Sequence, residues 1–126
     1  MALELVDTNI FIDHFRSFGP ATRFLLSRSC SADIAFSAIT ETEVLAGKCA
    51  KDLRTREELL GFLSQWKKVP FDNPAASIAG DLVREHNLSV PDAIIAATAI
   101  NENAVLLTQN LRHFIQVKSL NCRKPY

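Results

Sequence analysis

The chain is poor in the residues from which metal cages, redox centres and phosphate loops are usually built. It has three cysteines, Cys30, Cys49 and Cys122, and three histidines, His14, His86 and His113. None stands at a metal-ligand or disulfide spacing, which excludes a zinc site and a disulfide framework. The thiols are expected to be buried or inert in a reduced compartment, and the histidines to be packing or surface residues. Four glycines, Gly19, Gly47, Gly61 and Gly80, lie too far apart to cradle a phosphate. No apolar run reaches the roughly 20 residues that span a bilayer, and Glu4 and Asp7 interrupt the apolar N-terminus, so neither a membrane span nor a signal peptide is expected. Net charge is also lacking, since 14 Lys and Arg balance 14 Asp and Glu. That argues against a binder that grips nucleic acid by bulk electrostatics. It leaves room for a nuclease, whose acidic centre would cancel basic residues around it.

What remains is an ordinary globular composition: 126 residues, 48% hydrophobic and 22% charged. Length and composition point to a single cytoplasmic domain over residues 1–126. Short apolar runs predict strands at Leu3 to Val6, Ile34 to Phe36, Val69 to Phe71, Val105 to Leu107 and Ile115 to Val117. Between them the pattern predicts helices at Asn9 to Phe15, Pro20 to Ser29, Ser37 to Gly47, Asp52 to Trp66, Asn73 to Asn87 and Val90 to Asn101. Leu53, Leu60, Leu63 and Trp66, or Leu59, Phe62 and Trp66, share a face of the fourth helix. Alternating strands and helices imply a three-layer α/β/α domain around a mostly parallel sheet of four to five short strands. In such sheets the functional crevice lies beyond the carboxyl ends of the strands. Asp7 follows the first strand, and Thr108, Gln109 and Asn110 follow the Val105 to Leu107 strand, so both positions belong to one edge.

Three acidic residues sit in distinctive surroundings: Asp7 in LELVDTNIFID, Glu43 in SAITETEVLAG and Asp92 in SVPDAIIAATA. Each has an ordinary reading. Asp7 can cap the following helix, Glu43 can be a surface glutamate, and Ser89 to Asp92 is a capping box. Together they suggest more. Carboxylates gathered by folding repel one another, and a divalent cation is the usual remedy. Ser37 lies near the same expected site, but no Ser-His-Asp arrangement can be built around it. An aspartyl-phosphate at Asp7 is disfavoured because Asn9, not a second Asp, stands two positions on. Lys48, Lys51, Arg54 and Arg56 form a basic stretch after Glu43 that reads either as a solvated helix face or as a phosphate-contacting rim.

Four ordered blocks, LVDTNIFID, SAITETEVLAG, PDAIIAATA and LLTQNLRHF, make the chain resemble a PIN domain over nearly its whole length. It is most similar to the VapC-type toxins of bacterial toxin–antitoxin pairs. The resemblance implies that Asp7, Glu43 and Asp92 are the catalytic, metal-binding acids, Glu43 directly or through water. It implies that Thr8 and Asn9 support the site around Asp7, with Thr108 and Asn110 at the final block. Many relatives carry a fourth acid where this chain has Asn110, which can offer a carbonyl oxygen but no charge. The implied activity is Mg²⁺- or Mn²⁺-dependent hydrolysis of RNA, tRNA included. The implied partners are a cognate antitoxin and a second copy of the chain in a homodimer, without a membrane. The alternative is a non-catalytic RNA- or protein-binding module on the same fold.

Overall fold

The structure is a computed structural model that describes residues 2–126. In chain order its elements are β1 (Glu4–Val6), α1 (Thr8–Phe15), α2 (Gly19–Ser27), β2 (Ile34–Ser37), α3 (Ala38–Leu45), a 3-10 turn (Lys48–Lys51), α4 (Leu53–Leu63), β3 (Lys67–Val69), α5 (Asn73–His86), α6 (Val90–Asn101), β4 (Val105–Leu107), α7 (Leu111–Phe114) and β5 (Asn121–Arg123). The five strands form one sheet in the order β3-β2-β1-β4-β5. Every pairing is parallel. From β1 the chain winds outward to β2 and β3, then returns to lay β4 on the other side of β1. The direction of winding therefore reverses between β1 and β4, the place where open parallel sheets leave a crevice.

Strand alternation divides the interior into two layers of packing. Leu5, Ala35 and Leu106 are register partners on one face. They pack with Ala79 and Leu82 of α5 and with Ala93 and Ala97 of α6. Val6, Phe36 and Leu107 point the other way, against Phe11 of α1, Leu25 of α2 and Leu63 of α4. Trp66 joins this second cluster; it is 5% exposed, as a core aromatic should be. Its indole Nε1 donates to the Arg28 carbonyl at 2.8 Å, which satisfies the one polar group it buries. The three-layer expectation is therefore met, with a sheet that is parallel throughout. Among the described residues no helix is long and apolar enough to cross a membrane.

Two edges differ from expectation. The last strand is β5 at Asn121–Arg123, not Ile115 to Val117. Phe114, Val117 and Leu120 are all buried, and their spacing of three is that of a coiling turn rather than a strand, while Ile115 is 71% exposed. The third strand is Lys67–Val69 rather than Val69 to Phe71, because an edge strand tolerates exposed lysines that hide its signal. Leu53 also leaves its expected face, being 68% exposed at the start of α4. The thiols are not buried: Cys30 and Cys49 are exposed and Cys122 is half-buried.

Phe11 anchors α1, and with it the segment after Asp7. Its ring lies 5.7 Å from both the Phe36 and Trp66 rings, and the side chain is fully buried. Phe11→Ala is expected to cost about 3–5 kcal/mol. A urea titration checks this as a lowered midpoint at unchanged slope.

Candidate functional site

Asp7 leaves the end of β1 with its backbone N–H donating to the Leu107 carbonyl at 2.9 Å, which extends the β1–β4 pairing by one step. It occupies the N-cap position of α1 in extended conformation, but its side chain makes no capping bond. The carboxylate is free of the role that would make it merely structural. Instead Oδ2 accepts the Thr108 hydroxyl at 2.8 Å, across the crevice between β1 and β4. The Thr108 oxygen accepts in turn from the Asn110 backbone N–H at 3.0 Å, which fixes the hydroxyl's direction.

The residue is 2% exposed. Burial pushes the Asp7 carboxyl up to about 6. The Thr108 hydroxyl opposes the shift, the negative charge of Asp92 adds to it, the Thr8 backbone N–H opposes it, and Glu43 adds to it again. Both charges acting on the group are therefore negative. The three acids found in separate sequence blocks are brought within electrostatic reach of one another.

Glu43 and Asp92 are held by different means. The Thr8 hydroxyl lies 2.8 Å from Glu43 Oε1 and 2.8 Å from the Thr40 hydroxyl. A hydroxyl has one proton. Thr8 gives its own to the carboxylate, so Thr40 must donate to Thr8. Thr8 thus serves Glu43 through its side chain and Asp7 only through its backbone. Asp92 sits in the first turn of α6, where its N–H donates to Ser89 Oγ at 3.3 Å. The capping role belongs to Ser89, which leaves the half-buried Asp92 carboxylate for other work.

The remaining expected residues divide. Ser37 caps α3 through the Ile39 N–H at 3.3 Å and receives the Thr98 hydroxyl at 3.4 Å, so it braces the scaffold. Asn9 is exposed on the first turn of α1. Asn110 contributes its backbone, as above, and its side chain does not cap α7. One residue was passed over. His113 Nδ1 lies 3.4 Å from Asp92 Oδ2, from the short helix that follows β4. Its sequence signal was its place in LLTQNLRHF, one turn beyond Asn110. His14 by contrast stacks on Phe62 at 4.3 Å and contacts Thr22, away from the acids.

Among the described residues no three His, Cys, Asp or Glu side chains converge closely enough to enclose a metal ion unaided. The donors still suit a hard divalent cation: they are carboxylate oxygens, negative, and without a cationic side chain among the charges that act on Asp7. Mg²⁺ keeps several waters and is commonly held by one or two carboxylates, so it does not need a closed cage.

The raised Asp7 value fixes a sign for stability. Below the ordinary 3.8 the group is protonated folded or unfolded and imposes no penalty. As pH rises through about 6 the buried carboxyl must ionise in place, and stability is lost. One unit is about 1.4 kcal/mol, so the full loss is on the order of 3 kcal/mol. In EDTA, the stability of the wild type relative to Asp7→Asn should fall by up to that amount between pH 4 and pH 7.5. Urea titrations at both ends check it, and a pH-independent difference would contradict the raised value. Thr108→Val removes a lowering contact and should move the midpoint of that loss to higher pH.

The chain has known relatives over nearly its whole length. The PIN domain family model matches residues 5–120. Ribonuclease VapC19 of Mycobacterium tuberculosis is 37% identical over 131 aligned positions, spanning 98% of this chain and 100% of that protein. Ribonuclease VapC10 of the same organism is 30% identical over 92% of this chain and 89% of its own length. Among solved structures, a toxin–antitoxin complex from Klebsiella pneumoniae contains a chain 32% identical, with a TM-score of 0.82 and 98% of each chain covered. The DNA-bound VapBC of Salmonella typhimurium, 22% identical with a TM-score of 0.81 over 100% of both chains, shares the fold. With a family model covering most of its length and full-length relatives on either side of one-third identity, the chain belongs to the PIN domain family.

Proposed function

We propose that the chain is a divalent-metal-dependent endoribonuclease and the toxin of a toxin–antitoxin pair. The observation that carries the reading is the Asp7 carboxylate, buried at the β1–β4 crevice and acted on only by the negative charges of Asp92 and Glu43. Asp7 and Asp92 would hold Mg²⁺ or Mn²⁺, with Glu43 contributing directly or through water. When bound, the ion lowers the pKa of a coordinated water and offsets charge that develops on the phosphate. Thr108 keeps the Asp7 carboxylate oriented toward the crevice, and the Thr40–Thr8 chain does the same for Glu43. These hydroxyls orient the acids without neutralising them, so the site stays negative for a cation. The relatives' own designation as ribonucleases supports RNA as the substrate.

The antitoxin has a matching surface. A groove of about 800 Å³ opens beside Glu43, with Ile12, Phe15, Val44, Leu59 and Phe62 on its walls. Its size and apolar lining suit an amphipathic helix from a small protein partner, docked as helices dock in hydrophobic grooves. Arg16 and Lys48, with Glu43 and Glu58 at the same groove, offer both signs of charge to that partner's polar face.

Two measurements test the reading. Purified protein should cleave total RNA in Mg²⁺ and stop in EDTA, and Asp7→Asn or Asp92→Asn should reduce the rate at least a hundredfold, on the scale of losing a principal electrostatic group. Mn²⁺ at about 100 times its Kd should stabilise the wild type by about 2.7 kcal/mol, a rise of several degrees in Tm, and the Asp7→Asn protein by much less. Cleavage indifferent to both substitutions would count against these acids as its source, and a melting temperature that ignores Mn²⁺, with no cleavage, would favour a non-catalytic binding module on this fold.

A further inference from the structure

A second cleft reaches Asp92, and its chemistry is different. It has a volume of about 310 Å³ and is bounded by Asn87 and Ser89 ahead of α6, Asp92 within it, and Arg112, His113 and Gln116 along and after α7. Glu43 opens onto the apolar groove and Asp92 onto this polar one. Glu43 and Asp92 therefore each line an opening, one walled mainly by aromatic and aliphatic groups and the other by Leu88 with amides, a hydroxyl, an imidazole and a guanidinium.

We infer that the polar cleft seats the nucleotide next to the scissile phosphate of a single RNA strand, with Arg112 gripping that nucleotide's phosphate. The inference rests on the nuclease reading above. Four observations carry it. First, the cleft is continuous with the acids, since His113 Nδ1 lies 3.4 Å from Asp92 Oδ2 and both residues line it. Second, Arg112 is exposed, and among the described residues no carboxylate forms an ion pair with it. Its planar donor fork is free for a phosphate, the group it fits best after a carboxylate. Third, Asn87 holds a left-handed conformation at φ 53 as the C-cap of α5, which fixes the wall carrying its amide. Fourth, the volume is at the low end of small-ligand sites, roughly 300–1,000 Å³. It admits one nucleotide-sized unit and not a duplex. A strand cut at the acids must carry its next negative phosphate one nucleotide away. Both openings carry cations without an ion pair among the described residues, Arg16 and Lys48 at the apolar one and Arg112 at the polar one, but only the polar one joins such a cation to amides and an imidazole that can meet a base.

The test is the affinity of a fluorescent, mixed-sequence single-stranded RNA 12-mer for the full chain carrying Asp7→Asn to prevent cleavage, measured by anisotropy in Mg²⁺ across a salt series. Adding Arg112→Ala should weaken Kd about tenfold, as expected for losing a charge-assisted hydrogen bond. It should also reduce the slope of log K against log salt by about 0.7, the value for one phosphate contact on a single strand. Arg112→Lys should keep the slope and recover only part of the affinity, because a point charge replaces a fork. Arg54→Ala, on the exposed face of α4, should change neither. Cleavage by the chain with Asp7 intact is followed in parallel. If that chain cleaves RNA while Arg112→Ala leaves affinity and slope unchanged, or if Arg54→Ala matches its effect, the cleft assignment is overturned and the nuclease reading stands. If the chain neither binds nor cleaves RNA, both fall together.

Discussion

The molecule is organised around a carboxylate that its own fold makes uncomfortable. Asp7 lies where the winding of the sheet reverses, between β1 and β4, and its charge is disfavoured first by burial and then by two other acids. Only hydrogen bonds work in the opposite direction, and the Thr108 hydroxyl is the largest of them. That bond crosses the crevice and joins residues 101 positions apart. It fixes the carboxylate's orientation and links the ends of the two central strands. The arrangement costs stability, a cost that the divalent ion proposed above would offset. Its persistence requires that the surrounding fold be rigid enough to hold like charges in place.

That rigidity comes from packing rather than from long strands. The strands are three or four residues each. They serve as a short platform clamped between two apolar layers. On one side the aromatic trio of Phe11, Phe36 and Trp66 holds α1 against the sheet, so the turn leaving Asp7 cannot swing outward. On the other side α6 presents Ala93, Ala96, Ala97 and Ala99, all buried. Such small side chains let the helix approach the sheet and α5 closely. The first turn of that helix carries Asp92, and the close approach puts its charge within reach of Asp7. Burial of Asp7 itself does most to raise its pKa, and the packing of α6 adds to it through Asp92.

The legible parts of the sequence were those whose signal is local. Central strands are apolar on both faces, so β1, β2 and β4 could be located to within a residue. The acids stood out because each terminates or begins such an element. The edges were less legible for a physical reason. An edge strand has one neighbour and borrows its hydrogen bonds from it, so β3 can read Lys-Lys-Val and β5 Asn-Cys-Arg without an apolar pattern. Helix α7 is four residues long, too short for periodicity to register, and so His113 was taken for an ordinary surface residue. The role of Thr8 was legible only in part, since its backbone N–H does serve Asp7. Its neighbour in sequence is Asp7, but its hydroxyl belongs to Glu43, a pairing 35 residues apart that no local pattern encodes.

The two ends of β1 show how an acid's role depends on what stands opposite it. Glu4 opens β1 and Asp7 follows its last residue, three positions on, and they are 8% and 2% exposed. By composition they are the same kind of residue in the same kind of place. Glu4 is met by cations, with Arg28 on one carboxylate oxygen and Arg123 on the other. Those pairs tie the end of α2 and the edge strand β5 to the centre of the sheet, and no negative charge is left over for a ligand. Asp7 is met by a hydroxyl and by two further acids. A buried carboxylate without a cation is unstable unless it takes up a proton or a metal. An arginine at the Asp7 end would have made the fold more comfortable and would have closed the place to the divalent ion proposed above. The chain has arginines to spare and puts two of them at the other end of the same strand, which leaves the unneutralised end as the one that suits the chemistry proposed above.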